Sequence, residues 1–566
     1  MAATEEPVLV GRVSFIQGSL LRYVPEHNDW MEVVLDMPFG LQDTLRTAAG
    51  SRAEIILPNS TMFRMDEQTQ VQLLRLDGEV TELDIATGTV RIYNKSSSSI
   101  IKAVTPFGHV VAPPQTTADL SVGDVSVEAR SVRGSAYFIH AAGTTKYDLV
   151  AGSPSLIAGR GIVQTGSVRG SEQWCQWNEA RDHLWEQRHI KSAVSRAYLP
   201  PQLHDEAYAL EENGKWEYVR YGSRWYYLWR PVHVHADWAP FTAGRWMLWY
   251  GDHCWIPDEP FGYVTHHYGT WIYIDTYRCW YWMPPFVVVT IWPGFGHPCA
   301  WYPGRVAWLV SDTFIGWYPL LPDEPYYCVR YWGPGTIVVL HASTVDRHKH
   351  HHHRHAVCVG KDHLYSARNY RAAHVSRHIH ETSGHAFRLM SVPGANHLTS
   401  ALHERFRTEG KNALQRSDSR IRDRIQKNLA AIRRTKKIGA EELLERTKRL
   451  RNGILQQPRQ DTRPLVRDAD MTRRRPLYTI PEKLRRQDDG PPPRTLFPRM
   501  HERIKTMPRI HETRPGIVTM PRRHSPFFFQ GASQSPTNTP DGLQPIFRPQ
   551  GGASQHPWVF LGPRSR

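Results

Sequence analysis

Gly244-Arg245-Trp246-Met247-Leu248-Trp249-Tyr250-Gly251-Asp252-His253-Cys254-Trp255 sets a glycine eleven residues before a tryptophan, with aromatic strands either side of a short polar turn. The pattern recurs. Gly214-x-Trp216 is followed by Trp225, and Gly269-x-Trp271 by Trp280, both again at eleven residues. Aromatic runs broken by turn residues read as β-hairpins. Three of them between 214 and 320 predict a meander lined by Trp and Tyr, with a period too irregular and copies too few for a propeller.

Outward from the hairpins, residues 8–170 also read as all-β. Short apolar runs such as Ala53-Glu54-Ile55-Ile56-Leu57, Val71-Gln72-Leu73-Leu74 and Thr89-Val90-Arg91-Ile92-Tyr93 are cut by Gly, Asn and Pro. Asp77-Gly78 is a hairpin turn. Between the two β regions, Trp174, Trp177, Arg181, Leu184, Trp185 and Arg188 fall at helical spacing, and Pro200-Pro201 is expected to end that helix. The segment 171–212 therefore reads as a helical linker. Beyond it, Thr336–Leu340 and Ala356–Val359 are strand candidates around a histidine tract in a 341–366 strand-loop-strand unit.

The chain has 566 residues, 20 of them Trp, and a formal charge of +16. That charge is uneven: residues 401–566 hold 36 Lys+Arg against 16 Asp+Glu, a net of +20, which leaves −4 for residues 1–400. The basic balance belongs to the tail, so whole-chain charge gives no argument for nucleic-acid binding by the body. Residues 367–566 read as a basic, mostly disordered tail with short helices. Within it Ile421, Ile425, Leu429 and Ile432 form one helical stripe that Ser417 or Ser419 caps. No apolar run approaches 18 residues, so no transmembrane segment is expected. No signal peptide stands in the sequence as written. Either the protein is cytoplasmic, or Met1-Ala2-Ala3 is the remnant of a cleavage site.

Val10-Gly11-x-Val13 with Gly18, Asp43-x-x-x-Thr47, Gly50-Ser51-Arg52-Ala53-Glu54-Ile55 and Arg64-Met65-Asp66-Glu67-x-Thr69-x-Val71-x-Leu73 together resemble the periplasmic domain of FecR-type proteins. Gly88-Thr89-Val90, Thr105-Pro106-x-Gly108 and Ala151-Gly152 continue the likeness through about residue 170. Trp238-x-Pro240, Gly244-Arg245-Trp246, Glu259-Pro260-x-Gly262, His267-Tyr268-Gly269-x-Trp271, Trp280-x-Trp282-x-Pro284 and Gly316-Trp317-x-Pro319-Leu320 resemble a Trp-rich domain of unknown function found after FecR-like domains in exported bacterial proteins. The resemblance departs at Thr270, and at Cys254 and Cys279, where the family carries Gly before Trp. It implies a mainly β chain: a FecR-like all-β domain (1–170), the helical linker (171–212), a Trp-rich hairpin meander (213–340), then the His-rich unit and the tail. It also implies a periplasmic or extracellular protein with no enzymatic activity. The anti-sigma segment and membrane helix that iron-signalling FecR proteins carry before this domain are not found in the sequence, so that signalling role is not expected to carry over.

Trp216, Trp225, Trp246, Trp255, Trp271 and Trp280 are the candidate ligand platform, since flat rings suit sugar faces. The competing reading is that they fill a small β core. Asp258-Glu259 and Asp323-Glu324, each in Pro-Asp-Glu-Pro, are carboxylate pairs of the kind a glycosidase uses, but the proline flanks point to turns. His348, His350, His351, His352, His353 and His355 are candidate ligands for Ni²⁺, Zn²⁺ or Cu²⁺. Among the six cysteines, a Cys254–Cys279 disulfide is expected because both precede a repeat Trp. Cys299–Cys328 is the other candidate pair, and Cys175 and Cys358 are expected free. No cofactor is expected. The partners expected are envelope polysaccharide or a protein, and acidic polymers such as lipopolysaccharide for the tail. The functional expectation is a binding or scaffold protein of the envelope, with a FecR-like sensing module as the alternative and a wall-polysaccharide enzyme third.

Overall fold

The computed structural model describes residues 9–24, 29–166, 171–250, 252–285, 287–288, 300–310, 314–322, 324, 355–367, 369–370, 388–390 and 423–432. The expected strand at 336–340 lies outside them.

The N-terminal domain is a wound pair of sheets. Its strands are β1 (Gly11–Gln17), β2 (Leu20–Val24), β3 (Asp29–Glu32), β4 (Pro38–Phe39), β5 (Thr44–Thr47), β6 (Arg52–Leu57), β7 (Thr61–Met65), β8 (Gln70–Leu76), β9 (Val80–Asn94), β10 (Ile100–Thr105), β11 (Gly108–Ala112), β12 (Thr116–Val122), β13 (Ser126–Arg133), β14 (Ser135–His140), β15 (Lys146–Val150), β16 (Ser155–Gly159) and β17 (Val163–Gly166). One sheet runs β4-β1-β6-β7-β9-β12-β13-β16-β17. The other runs β3-β2-β5-β8-β9-β10-β11-β14-β15.

The long strand β9 belongs to both sheets, its first half pairing with β8 and β10 and its second with β7 and β12. Gly88 sits at the crossing with φ +88°, and a Cβ there would lie 2.4 Å from the Thr69 Cα. Only glycine passes so close at that φ. Between the sheets, alternate residues such as Val13, Ile55, Phe63, Leu73, Ile85, Ile92, Val110 and Leu120 form a continuous core. The Asp77-Gly78 turn joins β8 to β9, with the Asp77 carboxylate accepting from the Glu79 and Val80 amides.

The helical segment is α1 (Glu172–Lys191), α2 (Ala193–Arg196), a 3-10 turn (Pro201–Glu206) and α3 (Ala207–Asn213). The first helix stops at Ser192, before the prolines; Pro201 opens the 3-10 turn instead. Ser171 caps α1 by accepting from the Trp174 amide. This segment does more than link. Arg181 reaches back 127 residues to donate to both oxygens of Glu54, at 2.7 and 3.0 Å. Arg64 donates to the same carboxylate at 2.8 Å, and Trp185 Nε1 at 3.1 Å. Burial would push the Glu54 carboxyl up, but bonds from Arg181 and the charge of Arg64 outweigh it and hold it at about 2. Arg64 donates from Nη1 to Tyr93, Asn178 and Asp182. The FecR-like motif residues Glu54 and Arg64 are thus the seat of the helix.

Four hairpins follow: β18 (Gly214–Tyr221) with β19 (Arg224–Pro231), β20 (Gly244–Trp249) with β21 (Asp252–Pro257), β22 (Thr270–Ile274) with β23 (Cys279–Met283), and β24 (Val306–Val310) with β25 (Phe314–Pro319). A short helix, α4 (Gly262–His267), separates the second from the third. The expected continuous meander is not what forms. The first and third hairpins share a sheet, β18-β19-β23-β22, while among the described residues β20–β21 forms a two-stranded sheet of its own. The fourth pairs with β26 (Val357–Gly360) and β27 (Arg388–Met390).

Register explains the sequence repeat. Across the strands Trp216 faces Trp229, Trp246 faces Trp255, Trp271 faces Trp282 and Trp308 faces Trp317. Two positions beyond the second tryptophan, Pro231, Pro257 and Pro319 face Gly214, Gly244 and Val306. The repeat glycines lie against indole rings. A Cβ at Gly214 would be 2.2 Å from the Trp229 ring, at Gly244 2.7 Å from Trp255, and at Gly269 3.0 Å from Trp282.

Candidate functional site

Seven of those eight paired tryptophans are buried; Trp216 alone is half-buried. Trp246 packs on Trp255, Trp308 and Trp317 with ring centroids 5.1, 4.6 and 5.6 Å away, so two hairpins are joined through indoles. The ring N–H groups of Trp229, Trp282 and Trp317 donate to the carbonyls of Leu210, Tyr268 and Phe241. Trp246, Trp255 and Trp271 from the candidate platform are therefore core. Trp280 is also buried, against Tyr273 and His355.

What remains exposed is one face of the first hairpin. Trp216 and Tyr218 on β18 share that face with Trp225 and Tyr227 on β19, and all four are half-buried. Tyr218 stacks on Trp225 at 5.5 Å and meets Tyr227 at 4.8 Å. Tyr198 extends the row, stacked on Trp216 at 4.3 Å. The Trp216 ring N–H is anchored to Ser195 Oγ at 3.0 Å. Arg220 lies opposite Trp225 and is exposed. The opposite face of this hairpin is closed: Val219, Leu228 and Tyr226 pack on Ile272, Ile274 and Met283. The aromatic row is a ready contact surface, apolar in its faces and polar at its hydroxyl tips.

The two β domains meet through buried side chains. Asp43 accepts from the Trp249 ring N–H at 3.1 Å and the Tyr250 hydroxyl at 3.0 Å, and pairs with Arg22. Nearby, Arg12 bridges Asp36 at 2.7 Å and Glu206 at 2.8 Å and lies over the Tyr263 ring. Two carboxylates share that one guanidinium in a dry site. Burial first, then repulsion from Asp36, raises Glu206 to about 7 despite Arg12. The motif aspartate of the first domain is thus held by the turn of the second hairpin.

The remaining candidates resolve individually. Glu259 is buried and accepts from Trp238 at 2.9 Å; burial raises its carboxyl to about 8, so it is a neutral acid inside a turn. Glu324 accepts from the Leu321 amide at 2.6 Å. The Glu324 carboxyl thus holds its own turn, while the Glu259 carboxyl ties its turn to Trp238. His266 donates from Nδ1 to the Gly262 carbonyl and accepts at Nε2 from the Phe241 amide, and burial lowers it to about 3. Of the histidine tract, His355 meets Tyr273 at 4.3 Å; His348, His350, His351, His352 and His353 lie outside the described residues. No cluster able to hold a metal ion occurs among the described residues.

The expected Cys254–Cys279 bridge does not form. Both are free thiols, as is Cys175; Cys358 is buried on its strand, and Cys299 and Cys328 lie outside the described residues. The reason is register. Cys254 faces Met247 in the separate second hairpin, whereas Cys279 opens β23 opposite Ile274 in another sheet. The eleven-residue spacing equated two positions that differ in structure.

Residues 43–136 match the family described as FecR protein, and residues 207–324 match the Family of unknown function (DUF6600). The chain carries a FecR domain followed by a domain of unknown function. The Asp43 junction therefore joins the first residue of the FecR match to the DUF6600 domain. Two solved structures, each described as a "putative anti-sigma factor" from Parabacteroides distasonis, are similar to part of this chain. One is 11% identical, covering 24% of this chain and 64% of its own, with a TM-score of 0.20. The other is 8% identical, covering 26% and 72%, with a TM-score of 0.21. No curated protein matches the chain significantly. Among the described residues no helix is long and apolar enough to cross a membrane.

Proposed function

We propose that this chain is a non-catalytic sensing module of the bacterial envelope. A protein partner engages the aromatic face of β18–β19, and the FecR domain carries the event onward. The observation that supports it most is the junction at Asp43, where a FecR-family residue is clasped by Trp249, Tyr250 and Arg22. A shift in the DUF6600 domain is felt by the FecR sheet through that buried contact. The structural bonds of Glu259 to Trp238 and of Glu324 within its own turn favour a recognition protein over a hydrolase.

A photo-crosslinking amino acid at exposed Arg220, in protein expressed in its own envelope, tests the reading. A discrete protein adduct is expected, lost in a Trp225→Ala, Tyr227→Ala variant that melts at the wild-type temperature. Absence of any protein adduct overturns it. A second reading, contact with envelope polysaccharide, is favoured by the row of half-exposed flat rings, and retention on peptidoglycan that needs Trp225 would support it. The net charge of the tail supports a salt-sensitive contact with acidic polymers.

A further inference from the structure

One helix of the basic tail is seated on the FecR domain. Residues 423–432 form α5, which lies on the outer face of the sheet containing β3, β2, β5, β8 and β9. Ile425 and Leu429, one turn apart, are buried against Leu21, Tyr23 and Trp30. Arg424 donates to both oxygens of Asp84 at 3.0 and 2.7 Å, and Asn428 to Asp84 at 3.0 Å and Gln72 at 2.9 Å. Gln426 donates to the Tyr23 hydroxyl at 2.8 Å. Ile425 and Leu429 of the expected stripe are thus used, Ile421 lies outside the described residues, and the helix reads a row of side chains across the sheet: Trp30 opposite Tyr23, and Thr44, Gln72 and Asp84 in register.

Two features mark the seat as exchangeable. Among its described residues α5 buries only Ile425 and Leu429, so its seat rests on two apolar side chains and opens at small cost. The face also offers more than α5 takes: among the described residues, Thr44 Oγ1, Gln70 Oε1 and Gln72 Nε2 are buried without a hydrogen-bond partner. A helix that satisfied them would displace α5, because unpaired buried polar atoms are costly.

We propose that this face is a helix-docking surface which the chain's own α5 keeps closed, and that a protein partner opens it by presenting a basic amphipathic helix of the same pattern: Arg-Ile, then Asn-Leu one turn later. Asp84 selects the basic residue through a two-pronged, charge-assisted contact. Displacement frees the basic tail. The inference is independent of the aromatic face, so failure of the Arg220 crosslink leaves it standing.

The test uses the full chain and a fluorescent peptide of residues 419–434. The tethered helix competes at high effective concentration in the wild type. The peptide should therefore bind a full-length Ile425→Asp, Leu429→Asp variant at least about tenfold more tightly than wild type. Adding Asp84→Asn should weaken that binding by roughly tenfold or more, and a peptide carrying Arg424→Glu should fail to bind. Equal binding to wild type and variant overturns the proposal. So does no binding to a variant that melts like wild type, or a wild-type dimer in light scattering that the variant lacks, which would mean that copies exchange α5 with each other.

Discussion

The FecR domain and the DUF6600 domain bury polar groups in opposite ways. The first buries charge in pairs: Arg12 with Asp36, Arg22 with Asp43, Arg64 with Glu54, Arg91 with Asp119. The second buries neutral groups among indoles: His253, His266 and His267, lowered by burial to about 3, 3 and 4, and Glu259, raised to about 8. A core of alternating aliphatic residues leaves room at its rim for guanidinium–carboxylate ladders. A core of tryptophans packed edge to face offers mainly ring N–H donors and carbonyls, which suit neutral partners. The difference sets where each domain fails.

The largest effect should come from the charged side. Glu54→Ala strands Arg64 and Arg181 without their carboxylate, which should cost about 3–5 kcal/mol in urea unfolding and expose α1 to trypsin. Retained stability would mean that the helix is not seated by this pair. Next comes the indole side. Trp255→Ala should cost about 3 kcal/mol or more, while Trp225→Ala on the open face should cost under about 1 kcal/mol. Equal costs would erase the distinction between core and face.

The acid responses should also differ. A histidine held neutral binds fewer protons folded than unfolded, so its contribution is lost as pH falls below about 6.5, down to about 4 for His267 and about 3 for His253 and His266. The Glu54 clasp holds until pH falls below about 4.5. Glu259 and Glu206 act in the other direction: folded they bind the extra proton, so stability declines as pH rises from about 4.5 through 8 and 7 respectively. With three histidines against two carboxyls, the DUF6600 domain and its junction should be most stable near pH 6.5. Melting followed by near-UV circular dichroism should show that maximum, and Glu259→Gln should flatten the decline above it. An unchanged alkaline arm would contradict the buried neutral acid. The smallest effect concerns the thiols: non-reducing peptide mapping should find Cys254 and Cys279 unbridged.

Much of this was legible locally. Hairpins, the Asp77-Gly78 turn and the helix bearing Arg181 and Trp185 follow from spacing alone, because turn chemistry and helical period act over a few residues. Pairing was not. The gap between facing tryptophans is 13 residues in the first hairpin, 9 in the second and 11 in the third, since strand and turn lengths differ. The constant spacing of eleven therefore picked the facing Trp255 in one hairpin but Trp225 and Trp280, which face Arg220 and Tyr273, in the others. Glu54 with Arg181, Asp43 with Trp249 and Asp84 with Arg424 lie 127, 206 and 340 residues apart, beyond any local signal.

Mass-spectrometric footprinting of tryptophan oxidation on the native full chain tests most directly whether the repeat is a core with one open face. Trp225 and Trp216 should oxidise first, with Trp229, Trp246, Trp255, Trp271, Trp282 and Trp317 protected until the chain unfolds. Oxidation of Trp246, Trp255 and Trp271 at the rate of Trp225 would show that the repeat tryptophans face solvent, and would contradict the account.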